Sequence, residues 1–137
     1  MICACTLRMI CAFSNNLQAE CNNKYMENST WIPLDRQDQL NEIFNAEHPV
    51  LVFKHSIRCH ISSFALSRFT KEWDVSPDIC KCYLLDLIRF REFSSEIAQR
   101  SGIVHQSPQV ILWREGKVLF TASHHEIDAG EIQTLLS

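Results

Sequence analysis

Glycine and proline are scarce in this chain, three and four residues in 137, which excludes collagen-like repeats and low-complexity architectures. No apolar run approaches the ~18 residues that a membrane-crossing helix needs, so an integral helical membrane protein is excluded as well. Basic charge is not in excess either. Thirteen Lys and Arg against sixteen Asp and Glu give a net charge of −3, which leaves no electrostatic footprint for nucleic acid or an anionic membrane surface. The length suits one ordinary domain and is too short for two sizeable cores. What the chain does have is cysteine, seven residues of it. An odd number cannot pair completely, so a purely structural disulfide framework explains it poorly.

The cysteines are unevenly spread. Cys3, Cys5, Cys11 and Cys21 fall in the first 21 residues, Cys59 stands alone, and Cys80 and Cys82 form a pair. The leading stretch keeps no period, because Ser14, Asn15, Asn16, Asn22 and Asn23 interrupt its apolar patch. As a secretory signal it has a very short hydrophobic region, Met9 to Phe13, and only Arg8 before it. Glu20 spoils a lipoprotein cleavage site at Cys21, where a small residue is wanted. Residues 1–28 are therefore expected to be a disordered or wrongly assigned extension, with Met26 as the true start, and residues 29–137 to form the domain. Without residues 1–25 the chain keeps 11 basic and 15 acidic residues, net −4.

From about Ser29 the pattern becomes regular. Thr30 to Leu34 reads as a short strand, at a sheet edge because of Pro33. Asp35 is placed to cap a helix with an apolar face of Leu40, Ile43 and Phe44. Val50 to Phe53 is a continuous apolar run, the mark of a strand buried on both faces. Cys59 to Lys71 fits a helix burying Ile61, Phe64, Ala65 and Phe69. Tyr83 to Ile88 is a second buried strand, and Arg91 to Arg100 a helix with Phe93 and Ile97 inward and Gly102 as a left-handed cap. Val110 to Trp113 and Val118 to Thr121 flank Arg114-Glu115-Gly116-Lys117, a hairpin signal. A last helix from about Asp128 buries Ile132, Leu135 and Leu136. The order β-α-β-α-β-α-β-β-α predicts an α/β fold with a central mixed sheet of four to five strands and helices on both faces.

The chemistry concentrates where the first buried strand becomes a helix, in Lys54-His55-Ser56-Ile57-Arg58-Cys59-His60-Ile61-Ser62. A cysteine at a helix N-terminus faces unpaired backbone N–H groups and the positive end of the dipole, which favour a charged sulfur. Arg58 and His60 add positive charge beside it. Ser62 stands where the second cysteine of a C-x-x-C pair would be, so its hydroxyl can donate to the sulfur but cannot form a disulfide. A lone cysteine is usually a small buried hydrophobe. The strand-to-helix position argues otherwise here, since it sets the sulfur at the C-terminal edge of the sheet.

A second feature lies far along the chain. Ser107-Pro108 precedes the hairpin's first strand, where a proline belongs at the first residue. With a cis bond, the Ser107 backbone would face outward, ready to pair with an extended substrate segment. An ordinary trans proline in a loop is the plainer alternative. His55 and His105 are candidates for hydrogen-bonding support of Cys59, with His55 slightly ahead.

These residues resemble the thioredoxin superfamily in element order, in the Cys-x-x-Ser at a helix start and in the Pro108-to-Gly116 hairpin. More narrowly, residues 30–137 resemble the YtxJ-like monothiol bacilliredoxins. Lys54-His55-Ser56 with Cys59 and Ile61-Ser62, His105-Gln106-Ser107-Pro108-Gln109, and Ala122-Ser123-His124 carry the likeness. The resemblance implies a thioredoxin-like cytoplasmic protein that removes low-molecular-weight thiols, bacillithiol above all, from protein cysteines. It makes Cys59 the nucleophile and Pro108 the cis proline beside it. It implies no bound cofactor, with bacillithiol or another small thiol as co-substrate and S-thiolated proteins as partners. One position departs from the family: His60 stands where proline usually follows the cysteine. Proline there presets φ and removes a superfluous donor, whereas histidine can become cationic near neutral pH.

In the implied mechanism Cys59 thiolate attacks a mixed disulfide, frees the protein thiol and takes the small thiol onto itself. A second small thiol or a partner redoxin must regenerate it. Cys80 and Cys82 begin a strand while Cys59 follows the end of one, so in parallel strands neither can resolve the adduct. Cys80-Lys81-Cys82 and His124-His125 could bind metal, but no partner spacing accompanies them, and no metal site is expected. The competing class is a non-catalytic thioredoxin-like module that senses oxidants or binds a partner through the same groove.

Overall fold

The computed structural model describes residues 31–137; the expected N-terminal extension, with four of the cysteines, lies outside the described residues. Nine main elements follow in order: β1 (Trp31–Pro33), α1 (Gln37–Asn45), β2 (Val50–His55), α2 (His60–Glu72), β3 (Lys81–Asp86), α3 (Arg91–Ser101), β4 (Gln109–Arg114), β5 (Lys117–Ser123) and α4 (Ala129–Leu136), with a 3₁₀ turn, His124–Glu126, before the last. The strands form one sheet in the order β1-β3-β2-β4-β5. The first three run parallel, and β4 lies antiparallel to both β2 and β5. Pro33 sits on edge strand β1, where its missing N–H breaks no ladder in a central strand.

β2 shows why its first four residues, Val50 to Phe53, are all apolar. Alternation sends Leu51 and Phe53 to one face, packed with Ala65, Leu66, Phe69, Ala129 and Ile132 of α2 and α4. Val50 and Val52 go to the other face, packed with Leu40, Ile43 and Ile97 of α1 and α3. Two hydrophobic clusters therefore sandwich one sheet, the α/β arrangement expected.

Local expectations hold in several places and shift in others. Gly102 ends α3 at φ 71°, ψ 6°, the left-handed cap that a side chain would strain. Glu115 and Gly116 form the two-residue hairpin loop with φ 52° and 73°, the sign pattern of a type I′ turn matched to strand twist. The α1 cap is Arg36 rather than Asp35; the Gln39 side chain accepts from the amides of both Asp35 and Arg36, at 2.9 Å each.

The α2 stripe is rotated from the one expected. Ser62, Ala65, Leu66 and Phe69 are buried, while Ile61 and Phe64 stand 65% and 70% exposed. Positions 62, 65, 66 and 69 are the i, i+3, i+4, i+7 set, so the face is still coherent. The polar anchor at Ser62 fixes the phase, which hydrophobicity alone places one residue off. In α4, Ile132 is buried but Leu135 is 51% exposed and Leu136 only half-buried, because only one face of that helix lies against the sheet.

Candidate thiol site at the β2–α2 junction

Cys59 is the N-cap of α2, with extended backbone at φ −107°, ψ 117°. Its amide donates to Ser56 O at 3.1 Å, closing a tight turn out of β2, and its carbonyl accepts the first helical bond from Ser63 N at 3.0 Å. A residue so placed lies beside the helix's unpaired first-turn amides. The sulfur is free and half-buried, with Arg58 and His60 exposed on either side. Ile57, Ile61 and Phe64, all exposed, make the same corner apolar.

Ser62, the fourth residue of Cys-x-x-Ser, is completely buried. Its Oγ lies 2.7 Å from His55 Nδ1 and accepts from Ser56 N at 3.0 Å. Burial lowers the His55 pKa below the ordinary histidine range, with the Asp86 carboxylate opposing the shift in part. A neutral His55 and Ser62 thus tie the end of β2 to the first turn of α2. This makes Ser62 a fixture of the turn that carries Cys59.

The second feature approaches from β4. The Ser107–Pro108 peptide is cis, and Pro108 is buried. Pro108 O accepts from His124 N at 3.1 Å, and Gln109 pairs with Lys54 of β2 on one side and Ser123 of β5 on the other. The three segments that carry the family likeness therefore meet at one edge of the sheet. Gln109, buried, holds the preceding loop in place: its Nε2 donates to Val104 O at 3.0 Å and its Oε1 accepts from Gln106 N at 3.3 Å. Ser107 Oγ is buried with no hydrogen-bond partner among the described residues.

His105 is not set against Ser62 as His55 is. Its Nδ1 lies 2.9 Å from Ser94 Oγ and 3.5 Å from Lys54 Nζ, and both burial and that lysine lower its pKa. Lys54 stands in the stretch that pattern reading singled out, but with no role given to it. Its side chain is fully buried, its Nζ reaches only Ser94 O at 3.4 Å and His105, and burial lowers its pKa from the ordinary 10.5 to about 8. The signal was present: period-2 alternation puts residue 54 on the same face as Val50 and Val52, so the charge had to point into the sheet–helix layer.

Cys80 and Cys82 are both buried and free. Contact with Cys80, and then burial, push the Cys82 thiol far above the ordinary range. Cys82 pairs with Leu51 in the parallel register, and from there to the end of β2 is about 13 Å along the strand. Neither cysteine is within disulfide reach of Cys59. Among the described residues no group of three or more His, Cys, Asp or Glu side chains is placed to hold a metal ion. No described helix is long and apolar enough to cross a membrane.

Solved structures share this architecture. One described as a candidate oxidoreductase with a thioredoxin fold is 26% identical, with 79% of this chain and 95% of that one covered and a TM-score of 0.68. Thioredoxin of Malassezia sympodialis is 20% identical over 76% of this chain and 85% of its own, TM-score 0.57. Thioredoxin of Trypanosoma brucei brucei is 17% identical over 77% and 86%, TM-score 0.54. These likenesses give the fold, and the lone Cys59 with Ser62 gives the monothiol variant of its site. Residues 32–132 match the monothiol bacilliredoxin BrxC, and the chain belongs to that family of thiol oxidoreductases.

Proposed function

We propose that the protein removes a low-molecular-weight thiol, bacillithiol or one like it, from mixed disulfides on other proteins. The carrying observation is a half-buried cysteine at a helix N-cap whose would-be partner position is a buried serine hydrogen-bonded to histidine. Cys59 thiolate attacks the sulfur of the small thiol in a protein–S–S–R disulfide. One S–S bond forms between Cys59 and R, the original S–S bond breaks, and the protein sulfur leaves with the electron pair and takes a proton from solvent. Ser62 cannot displace R, and neither Cys80 nor Cys82 is within reach, so among the described residues nothing resolves the adduct and a second small thiol or a partner redoxin removes it.

Supporting roles follow from position. Arg58 supplies positive charge at the rim with His60 exposed beside it, His55, Ser56 and Ser62 fix the turn, and Ser107 with Pro108 offers the edge for an extended substrate segment. S-thiolated proteins are the partners in this reading, and the reducing cytoplasm, where free thiols persist, is the setting. Incubation with a bacillithiolated and a glutathionylated protein tests it: release of the protein thiol should accompany appearance of the small thiol on Cys59, faster for the preferred thiol. No release from either substrate would favour a non-catalytic interaction module instead.

A further inference from the structure

A cleft of about 660 Å³ opens between the start of α3, the loop after β3 and the segment entering β4. That volume lies within the range of small-molecule sites. It meets the thiol site at two residues, Ser56, whose carbonyl accepts the Cys59 amide, and Ser107, which precedes Pro108. Its chemistry has one sign. No Asp or Glu lines it, while Arg91 and His105 do.

Arg91 is in no ion pair among the described residues. Lys54 stands behind His105 with no carboxylate at hydrogen-bond distance. The positive end of the eleven-residue helix α3 adds to the field. Of the nearby acids, Glu96 pairs with Arg100 at 2.8 Å, and Asp86 accepts from Ile88 N at 3.0 Å through Oδ1 while its Oδ2 is buried without a hydrogen-bond partner among the described residues. Independent of charge, the Ser107 hydroxyl is buried without a partner, and a buried donor left unmade is costly. A ligand acceptor would satisfy it.

We infer that this cleft takes a carboxylate of an anionic low-molecular-weight thiol, with Arg91 as the cation and Ser107 Oγ as a donor. The inference rests on the reading of Cys59 as the residue that exchanges that thiol, and it adds which end of the thiol is recognised and where. When Cys59 thiolate attacks a symmetrical disulfide R–S–S–R, one R–S becomes bonded to Cys59 and the other leaves as thiolate. Held by its carboxylate, R approaches in an aligned pose; without one it does not.

The test compares three disulfides: glutathione disulfide, its ethyl-ester form with the carboxylates masked, and uncharged 2-hydroxyethyl disulfide. Arg91→Gln should slow thiolation of Cys59 by glutathione disulfide about tenfold, the loss of one charge-assisted contact. It should leave the two uncarboxylated reagents within about twofold, as expected where no such contact is made. Equal slowing of all three, or none of any, overturns the assignment. A second arm avoids thiol chemistry. In Cys59→Ser protein, S-methylglutathione should saturably shift the backbone NMR signals of Ser94, His105 and Ser107, less strongly with Arg91→Gln or Ser107→Ala. Shifts confined to other residues overturn the cleft even if Cys59 reacts. A Cys59 inert to all three disulfides, with the cleft shifts intact, supports the anion site and overturns the exchange chemistry.

Discussion

Replacing Lys54 by methionine should stabilise this protein at neutral pH. The side chain is fully buried, and its ammonium has only a carbonyl at 3.4 Å and a neutral imidazole at 3.5 Å for company. Its pKa falls from 10.5 to about 8 through burial, equivalent to about 3 kcal/mol of disfavour for the charged form. Methionine fills the same channel without a charge, and the ring nitrogen it abandons keeps Ser94 Oγ at 2.9 Å. Some of the 3 kcal/mol is offset by lost contacts, so a gain of about 1–3 kcal/mol is expected.

The pH dependence is the sharper part. Between about pH 8 and 10.5 the unfolded lysine holds a proton that the folded one has lost, so wild-type stability rises with pH there. Below pH 8 both states are protonated and the full cost is present. Urea denaturation of both proteins at pH 7 and pH 10 should show Lys54→Met the more stable at pH 7, with the gap narrowing by pH 10. A destabilised variant at pH 7, or a gap that ignores pH, refutes the reasoning. A lysine kept at a cost in stability is what a functional role would leave behind.

Four further outcomes follow from the same geometry. Ser62→Ala strips His55 Nδ1 and the Ser56 amide of their shared partner and should cost about 1–3 kcal/mol in chemical denaturation; Cys59 thiolation should survive it. Ser62→Cys should convert the lasting Cys59 adduct into an internal disulfide between Cys59 and the introduced thiol, seen as loss of the small-thiol mass on intact-protein spectra. Changing both Cys80 and Cys82 to valine should leave thiol exchange at Cys59 unaltered in rate, because their sulfurs are buried at the opposite end of the strand from it. Gly102→Ala puts a side chain at φ 71° and should cost about 1 kcal/mol in the same denaturation assay.

Much of this fold could be read from one-dimensional pattern because its elements obey simple periods. β2 is apolar on both faces since two helical layers cover it, and the hairpin announces itself through Glu115-Gly116. The position of Cys59 was legible for the same reason: a strand followed by a cap leaves few places for the next residue. What pattern missed depends on polar pairing. The phase of α2 is set by a serine, not by Ile61 or Phe64, and hydrophobic periodicity weighs serine as a neutral position. Lys54 and His105 lie 51 residues apart in sequence yet 3.5 Å apart in space, and only the β2–β4 register, Lys54 against Gln109, brings them together.

The most direct test is a single-turnover transfer followed by intact mass and peptide mapping. An S-thiolated protein is mixed with wild-type and with Cys59→Ser protein. The wild type should take up one small thiol, located on Cys59, as the substrate's thiol is released, and the variant should take up none. Equal release by Cys59→Ser, or a Cys59–Cys80 or Cys59–Cys82 bond in place of the adduct, would contradict a single working thiol without an internal resolving partner.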